Sequence, residues 1–328
     1  MGPVDIHSHV IPPEMLAEVR ANPIHYQMEV VEKNGKRRLI CPDHDFPLAR
    51  EFDEVDLKIA AMDRKGLQVS ALSVAPIVFG YHWERSLGNA AARLINDGIA
   101  RMAARYPDRL VGLGTLPLAD PAAALEELDR IHTVLKFPGI EIGTSVEDLH
   151  IADPRFRPIW QKCEQLGIFL FAHPYWCGPK CGLDGYYLIN LIGNPLNTVT
   201  MVSHLMFSGT LDQMPNLKLV LAHGGGYLPY QLGRLQHGWS WRKECQQHCH
   251  TAPEQLARRL YYDALTHSPA SNRFLIDLAT PQHVMLGTDC PFGMGEEDPV
   301  GALNNTPGLT AEEREWVLQR TARGLLRR

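Results

Sequence analysis

The sequence has no long hydrophobic run and no large excess of charge of either sign. No apolar stretch approaches the roughly 20 residues that a membrane-spanning helix needs. Lys and Arg total 32 against 37 Asp and Glu, and a net charge of -5 gives no basic surface for nucleic acid or an anionic membrane. The first residues lack a secretory signal pattern, and Ile6 stands where a myristoylation motif needs Ser or Thr. We therefore expect no nucleic-acid or membrane partner and a cytoplasmic location.

Cysteine is too sparse for a disulfide framework. Seven cysteines in 328 residues is an odd number, and it fits reduced thiols better than paired ones. Cys177 and Cys181, like Cys245 and Cys249, are spaced by three intervening residues, so a second, structural zinc is one alternative. We expect scattered thiols instead, with the second pair one turn apart on a helix, because the spacing does not give a clear tetrahedral set.

The chain does have a regular alternation of strand-like and helical segments. Eight apolar runs favour strands, at residues 4–7, 69–74, 110–116, 139–143, 168–173, 217–223, 260–264 and 284–289. The segments between them with helical periodicity include 55–65, 87–106, 121–135, 154–166 and 311–326. This repetition predicts an α/β fold of the (β/α)8 TIM-barrel type. A doubly wound sheet is the alternative, but no glycine-rich phosphate loop follows the first strand.

Two stretches exceed a minimal barrel. The first contains VVEKNGKRRLI, where Asn34 and Gly35 between β-rich runs predict a type I′ hairpin inserted after the first barrel strand. This insertion, at about residues 13–50, could cover the mouth of the site. The second, YWCGPKCGLDG at 175–185, is a glycine-rich loop after the fifth strand. We predict one domain spanning residues 1–328.

Two histidines stand one residue apart near the start of the chain, in VDIHSHVIP. Because side chains i and i+2 of a strand project to the same face, His7 and His9 would lie side by side at a strand end. Neutral imidazole is the commonest nitrogen ligand for zinc and similar ions. A metal site and a pair of surface histidines are both open at this point.

Polar residues follow several of the other predicted strands. The strand ends read DIHSH, LFAHP, VLAHGGG and MLGTDCPF, which add His173, His223 and Asp289 to the first two histidines. Barrel enzymes carry their chemistry at this carboxyl end of the strands. Buried imidazoles and a carboxylate without partners would each cost free energy, and a divalent cation among them removes that cost. The pattern therefore predicts a metal site.

These motifs also carry a family resemblance. The segments DIHSHVIP, FAHPYW, LAHGGGYLPYQLGRLQHGW, YYDALTHSP and MLGTDCPFGMGE span nearly the whole chain in this order. They resemble the amidohydrolase superfamily and, within it, the aminocarboxymuconate-semialdehyde decarboxylase branch. The resemblance implies a cation held by His7, His9, His173 and Asp289, with zinc expected and manganese or another divalent transition metal as the alternative. It implies His223 as the general acid and base, working beside the catalytic Asp289.

The resemblance further implies residues that bind an acidic substrate. Arginine's planar fork suits carboxylates. Arg242 matches a branch arginine that reaches into the neighbouring subunit's site, and Arg234, two turns earlier, matches another. A homodimer or higher homo-oligomer is therefore expected. A further branch arginine aligns with Phe46, with Arg50 close by, so the sequence departs from the branch pattern there.

Trp83 and Tyr187 complete the expected substrate contacts as pocket walls. The leading hypothesis is a metal-dependent, non-oxidative decarboxylase of a carboxylated muconate-semialdehyde-like or aromatic acid. In it, metal-bound water and His223 manage the proton. The same ligands would suit a metal-dependent hydrolase of an amide, lactone or related carbonyl compound. A non-catalytic metal scaffold would not need His223 beside four ligands. The pocket arginines indicate a small acidic organic substrate and hence decarboxylation.

Overall fold

Eight parallel strands in chain order form a closed barrel. The computed structural model describes residues 2–42, 44–175 and 182–328. The barrel strands are Val4–Asp5, Val69–Val74, Leu110–Gly112, Gly139–Gly143, Phe169–His173, Leu219–Leu221, Tyr261–Asp263 and Val284–Met285. Within each of two sheets, sequential strands pair in parallel. The sheets join where Glu141 N donates to Gly114 O at 2.7 Å and Ile6 N to Leu286 O at 3.0 Å. The predicted (β/α)8 barrel is confirmed.

Helices follow the strands and pack around them. The α-helices are Pro13–Ala21, Pro23–Tyr26, Val55–Arg64, Arg85–Arg105, Pro121–Arg130, Arg157–Leu166, Asn194–Phe207, Thr210–Gln213, Leu228–Trp241, Lys243–Gln246, Pro253–Ala257, Pro269–Ala279, Pro299–Asn304, Ala311–Glu315 and Thr321–Leu326. π-Helical turns extend three of them, at Ile131–Leu135, Ile189–Gly193 and Trp316–Arg320. None of the helices in the described ranges combines the length and apolarity of a bilayer span.

Helix boundaries reflect local capping chemistry. The helix Pro121–Arg130 begins with proline at its first position, and the Asp120 side chain accepts from Ala123 N at 3.2 Å. Proline has no N–H and Asp120 accepts from that of Ala123, so two of the first-turn positions that lack a partner inside the helix are accounted for. The helix Arg157–Leu166 ends at Gly167, whose φ of 65° is the left-handed conformation that glycine adopts without strain.

A small antiparallel sheet is formed by the segment that connects the first and second barrel strands. Glu29–Lys33 pairs with Lys36–Cys41, which also pairs with His44–Pro47. Asn34 and Gly35 connect the first two strands with φ values of 54° and 69°, both positive as a type I′ turn requires. A second, shorter hairpin joins Ser145–Val146 to Leu149–His150 after the fourth barrel strand.

The barrel interior is apolar at one end, and the C-terminal helix closes that end. Side chains from six barrel strands or the residues just after them share one buried cluster with Ala322, Leu325 and Leu326. Arg323 donates to Gly2 O at 3.2 Å and Arg327 to Gly167 O at 2.8 Å, just before the first and fifth strands. The helix therefore covers the amino ends of the strands and leaves the carboxyl ends for polar side chains.

Cys245 and Cys249 do not lie on one helix. Cys245 lies on the short helix Lys243–Gln246, whereas Cys249 lies beyond it, with its Sγ donating to Thr251 O at 3.2 Å. The prediction that both sit one turn apart on a helix is therefore wrong, because the helix ends at Gln246. Cys177 and Cys181 lie outside the described residues, as does part of the glycine-rich loop at 175–185.

Candidate metal centre and active site

Four histidines and one aspartate meet at the carboxyl end of the barrel. His7 comes two residues after the first strand, and His173 is the last residue of the fifth. His223 comes two residues after the sixth strand and Asp289 four residues after the eighth. His9 begins a two-residue strand that pairs with the second barrel strand. The barrel thus brings together residues that are up to 282 positions apart in sequence (289 minus 7).

The ligating atoms converge on Asp289. Its Oδ1 lies 2.9 Å from His9 Nε2, 3.2 Å from His7 Nε2 and 3.9 Å from His173 Nε2. The Nε2 atoms of the two neighbouring histidines are 3.0 Å apart. Potential ligand atoms of His7, His173, His223 and Asp289 all lie within 4.8 Å of one another. His9 belongs to the same cluster, because its Nε2 contacts both Asp289 Oδ1 and His7 Nε2.

The arrangement fits a divalent cation. The Nδ1 atoms of the three predicted histidine ligands are already engaged: His7 by Asp263 Oδ2 at 2.6 Å, His9 by Val74 O at 3.2 Å and His173 by Pro174 O at 2.9 Å. Their Nε2 atoms are left to face Asp289. Buried His173 Nε2 and Asp289 Oδ1 make no hydrogen bond of good geometry within the described chain. Such orphaned atoms cost free energy, which coordination to a cation would recover.

The electrostatics of the site also favour a cation. Burial lowers the pKa of His9 to about 4, and burial together with neighbouring imidazoles holds the pKa of His173 well below its ordinary value. At His7, burial is outweighed by the carboxylates of Asp289 and Asp263, and its pKa rises to about 10. Burial opposes ionisation of Asp289, but the charge on His7 and the close imidazoles of His223 and His9 hold its pKa well below the usual range. The metal-free site therefore holds a positive charge on His7 beside the ionised carboxylates of Asp263 and Asp289. A bound cation would replace the Nε2 proton of His7 and take over that charge, leaving the ring neutral.

His223 occupies the boundary between this centre and open space. Its side chain is 22% exposed, and its Nε2 lies 3.7 Å from Asp289 Oδ2. Its backbone is left-handed, with φ of 55°, which is uncommon outside glycine and costs energy. The ring can therefore contact both Asp289 and a molecule bound above the centre.

Two cavities flank His223 and Asp289. One, of about 460 Å³, reaches His173 and has an aromatic wall that includes Phe46, Phe292 and Tyr187. The other, of about 380 Å³, extends past Tyr230, His267 and Phe274. Both are lined by Asn190, Asn194 and Met294. None of the described residues lining either cavity is Arg or Lys.

The aromatic wall continues directly from the metal centre. The Phe292 ring packs edge-on against His9 with centroids 5.1 Å apart, and Phe46 lies 5.3 Å from Phe292. Phe46 thus presents an apolar surface to the larger cavity. Arg50 is 66% exposed on the turn Arg50–Phe52 and pairs with Glu54 at 2.5 Å. It lines neither cavity, so the structure does not bring Arg50 to the proposed substrate site.

Other expected substrate residues lie outside the cavities. Trp83 is buried beside Tyr26 and donates its indole N–H to the Tyr26 carbonyl at 3.0 Å, so its surroundings in this chain are those of a packing residue. Arg234 is exposed on the helix Leu228–Trp241. Arg242 caps that helix and pairs with Glu244. Of the four predicted substrate residues, the structure brings only Tyr187 to a cavity of its own chain.

Sequence reasoning missed several buried charges around the centre. Asp263 ends the seventh strand, Asp5 ends the first, Glu141 lies in the fourth, and Lys58 reaches in from the helix Val55–Arg64; all four are at most 1% exposed. Glu141 Oε1 lies 3.6 Å from His9 Nδ1, and burial raises the pKa of this carboxyl well above its usual value. A charged residue inside an apolar strand, as in YYD or GIEIG, is the signal that could have found the three acids.

The closed barrel and the histidine–aspartate cluster at its carboxyl end define the class: a (β/α)8-barrel protein with a site for a divalent metal. The chain belongs to the Amidohydrolase family, whose profile matches residues 4–328.

Similarity to individual relatives narrows the chemistry. The chain is 31% identical to 2-amino-3-carboxymuconate-6-semialdehyde decarboxylase of Dictyostelium discoideum, over 96% of this chain and 89% of the relative. It is also 31% identical to gamma-resorcylate decarboxylase of Rhizobium sp. (strain MTP-10005), over 74% of this chain and 78% of the relative. The protein is a metal-dependent, non-oxidative carboxy-lyase of the amidohydrolase superfamily, as the sequence predicts.

Solved structures share the fold along the whole chain. Apo Metarhizium anisopliae IDCase is 25% identical and superposes with a TM-score of 0.88, covering 99% of this chain and 97% of that one. A dihydroxybenzoic acid decarboxylase from Polaromonas sp. JS666, with bound manganese and the inhibitor 2-nitroresorcinol, is 22% identical with a TM-score of 0.83, at the same two coverages. The second likeness supports the fold alone.

Proposed function

We propose that this carboxy-lyase releases carbon dioxide from a carboxylated aromatic or muconate-semialdehyde-like acid bound against His223. The observation that carries the proposal is the placement of His223 beside Asp289, at the boundary of two cavities and above three further buried histidines. The bond between the substrate carbon and its carboxylate breaks, carbon dioxide leaves, and the electron pair stays on the carbon. A proton must then replace the carboxylate, and His223 is placed to deliver it.

We propose that His7, His9, His173 and Asp289 hold one divalent cation. Three neutral imidazoles and a carboxylate, with no thiolate, suit zinc and also manganese, the ion bound in the Polaromonas structure. When bound, the cation withdraws charge from the carboxylate and neighbouring oxygen of a substrate. Zinc is the ion we expect, and elemental analysis after growth with each metal would identify it.

The walls of the larger cavity support a planar substrate. Phe46, Phe292 and Tyr187 line it, and offset or edge-on packing of a conjugated ring or chain against such side chains is favourable. Burial and the charge of Asp289 raise the pKa of Tyr187, so its hydroxyl is a neutral donor at neutral pH. We propose that Tyr187 contacts the substrate as a donor and wall.

An acidic group of the substrate beyond the carboxylate at the metal has no Arg or Lys partner among the described lining residues of one chain, and a second copy is our proposed source of that partner. Arg234 lies on the helix Leu228–Trp241 and Arg242 caps its C-terminal end, and both are exposed. On the same helix, Tyr230 and Trp241 are 85% and 75% exposed, as expected of a surface that another protein covers. We therefore propose a homodimer or larger assembly in which Arg242, assisted by Arg234, completes the partner's site.

The cytoplasm remains the proposed location. Among the described residues, Cys163, Cys245, Cys249 and Cys290 carry thiols rather than disulfides, as is usual in a reducing compartment.

Metal-dependent turnover of candidate acids tests the reaction. We expect carbon dioxide release from hydroxybenzoates or carboxymuconate semialdehydes, its loss on chelation and its return with zinc or manganese. A His223→Asn variant should keep stoichiometric metal and fall about 100- to 10,000-fold in kcat, the usual contribution of a general acid. Hydrolysis of amides or lactones without carbon dioxide release would support the hydrolase and contradict the proposal.

Subunit exchange tests the shared site. A His223→Ala chain and an Arg242→Ala chain, each inactive alone, should regain activity when mixed, because a mixed dimer has one site with both residues intact. An Arg320→Ala chain is the control and should be active alone. Arg320 is also a surface arginine paired with a glutamate, Glu315, but it does not belong to the helix Leu228–Trp241 that carries Arg234. Exchange without recovered activity would place Arg242 outside the neighbouring site.

A further inference from the structure

One buried carboxylate contacts both functional parts of the site. Asp263 is the last residue of the seventh strand and is fully buried. Its Oδ2 accepts from His7 Nδ1 at 2.6 Å and from the backbone N–H of His223 at 3.0 Å. Its Oδ1 accepts from the N–H groups of Gly224, at 2.8 Å, and Leu265, at 3.2 Å. A single oxygen therefore links a proposed metal ligand to the proposed proton donor.

The contact with His7 decides which nitrogen faces the metal centre. Because Nδ1 donates its hydrogen to Asp263, Nε2 is directed at Asp289 and is available as a ligand atom. An outer carboxylate of this kind fixes both the tautomer and the orientation of a ligating histidine. Gly287 packs the arrangement tightly, since a Cβ built on it would lie 2.9 Å from Asp263 Cβ and 3.0 Å from His7 Cβ.

The contacts with the next loop hold a strained backbone. His223 has φ of 55°, followed by Gly224 at 61° and Gly225 at 79°. A left-handed histidine persists only when surrounding contacts over-determine it. The N–H groups of the first two of these residues both point at Asp263. The direction of the His223 ring toward Asp289 therefore depends on this carboxylate.

We propose that Asp263 is a positioning residue that fixes the metal ligand His7 and the proton donor His223 relative to each other. The inference rests on the proposed function and extends it to a residue that contacts neither substrate nor metal. It predicts that one substitution disturbs metal binding and proton delivery together.

Asp263→Asn is the sharpest perturbation because it keeps the shape of the side chain. If the amide oxygen accepts from His7, the amide NH2 group opposes the N–H groups of Gly224 and Leu265. If the amide is turned round, its NH2 group faces His7 Nδ1 and forces the hydrogen onto Nε2, which can then no longer ligate. Neither orientation satisfies all four donors.

The experiment measures cobalt(II) binding to the full-length protein by chelator competition, with the visible spectrum of the bound ion as a second readout. We expect Asp263→Asn to bind cobalt(II) about 10- to 100-fold more weakly with an altered spectrum. At saturating metal, its kcat should fall by about 100-fold or more, as for loss of a general acid, with little change in KM. Asp212→Asn is the control: its carboxylate also accepts two backbone N–H groups, from His250 and Thr251, but lies outside both cavities.

Cobalt(II) affinity within about threefold of wild type and an unchanged spectrum in Asp263→Asn would overturn the inference. So would a crystal structure of the variant in which both rings keep their positions. If the asparagine variant does not fold, Asp263→Glu, which keeps the charge but moves the oxygens, is measured in the same way. If the wild type decarboxylates no candidate acid, the proposed reaction fails, whereas the affinity, spectrum and structure still decide the role of Asp263.

Discussion

Lys58 joins the backbones that carry two proposed metal ligands, and its removal should weaken the site. The side chain is 1% exposed, and its Nζ donates to His9 O at 2.9 Å and to Cys290 O at 2.8 Å. These carbonyls belong to one proposed ligand, His9, and to the residue that follows the other, Asp289. The perturbation is Lys58→Met, which keeps an unbranched chain of similar volume and removes the donors.

The magnitude follows from two opposing terms. Two hydrogen bonds from a charged donor contribute about 3–6 kcal/mol together, and the cost of burying an ammonium, several kcal/mol, offsets part of that. We expect a net loss of about 1–3 kcal/mol. With about 2.1 cal/mol/K of unfolding entropy per residue over 328 residues, each kcal/mol lowers Tm by about 1.5 °C. The metal-free variant should therefore melt about 2–4 °C lower.

Calorimetry on the metal-free protein measures this shift, and chelator competition measures metal affinity, expected to fall about 10-fold or more. Lys65→Met is the matched control: Lys65 is a second buried lysine, directly after the same helix, whose Nζ donates to Glu296 O at 2.9 Å and pairs with Glu297 at 2.5 Å. If both variants changed metal affinity equally, or Lys58→Met changed neither quantity, Lys58 would not hold the ligand backbones and the reasoning would be wrong.

Three further outcomes are expected. Chelation should lower Tm in proportion to the logarithm of metal concentration over Kd, and an unchanged Tm would argue against a resident cation. Gly287→Ala should lower the free energy of unfolding by about 1–3 kcal/mol and weaken metal binding, because the added Cβ meets Asp263 and His7. An unchanged metal affinity in chelator competition would contradict this prediction. Glu313→Gln should lower the free energy of unfolding by about 1 kcal/mol at neutral pH, because Arg273 and helix capping lower the pKa of Glu313 to about 2. Denaturant unfolding should show this difference from wild type shrinking as pH falls from about 4.5 toward 2. A difference that does not depend on pH would refute the stabilising role of the Glu313 carboxylate.

The sequence by itself determined the architecture because each barrel strand is a short apolar run that can be recognised from neighbouring residues alone. The run VSALSV is buried at every position, as expected of a strand covered on both faces, and the other seven predicted strands also coincide with observed ones. Their bounds are shorter than predicted in several cases, as at Val284–Met285 against 284–289. There the chain leaves the ladder so that Thr288 can hydrogen-bond Asp5, at 3.1 Å from its N and 2.8 Å from its Oγ1.

The sequence also indicated which polar residues share the site, since a closed parallel barrel places all strand ends on one rim. Position at the strand ends was enough to predict the five residues of the site, and the structure brings them together: His7, His9, His173, His223 and Asp289. Their partners did not follow, because Asp263 and Lys58 are single charges whose contacts depend on neighbours far away in sequence.

Only the tertiary structure decided the surroundings of the substrate residues. Phe46 reaches the cavity through the strand His44–Pro47, whereas Arg50, four residues later, points to solvent and pairs with Glu54. Trp83 is buried against Tyr26, and Arg242 pairs with Glu244 outside both cavities of its own chain. Periodicity specifies whether a segment is helix or strand, but the partner of each side chain depends on the packing of remote segments, which no local pattern encodes.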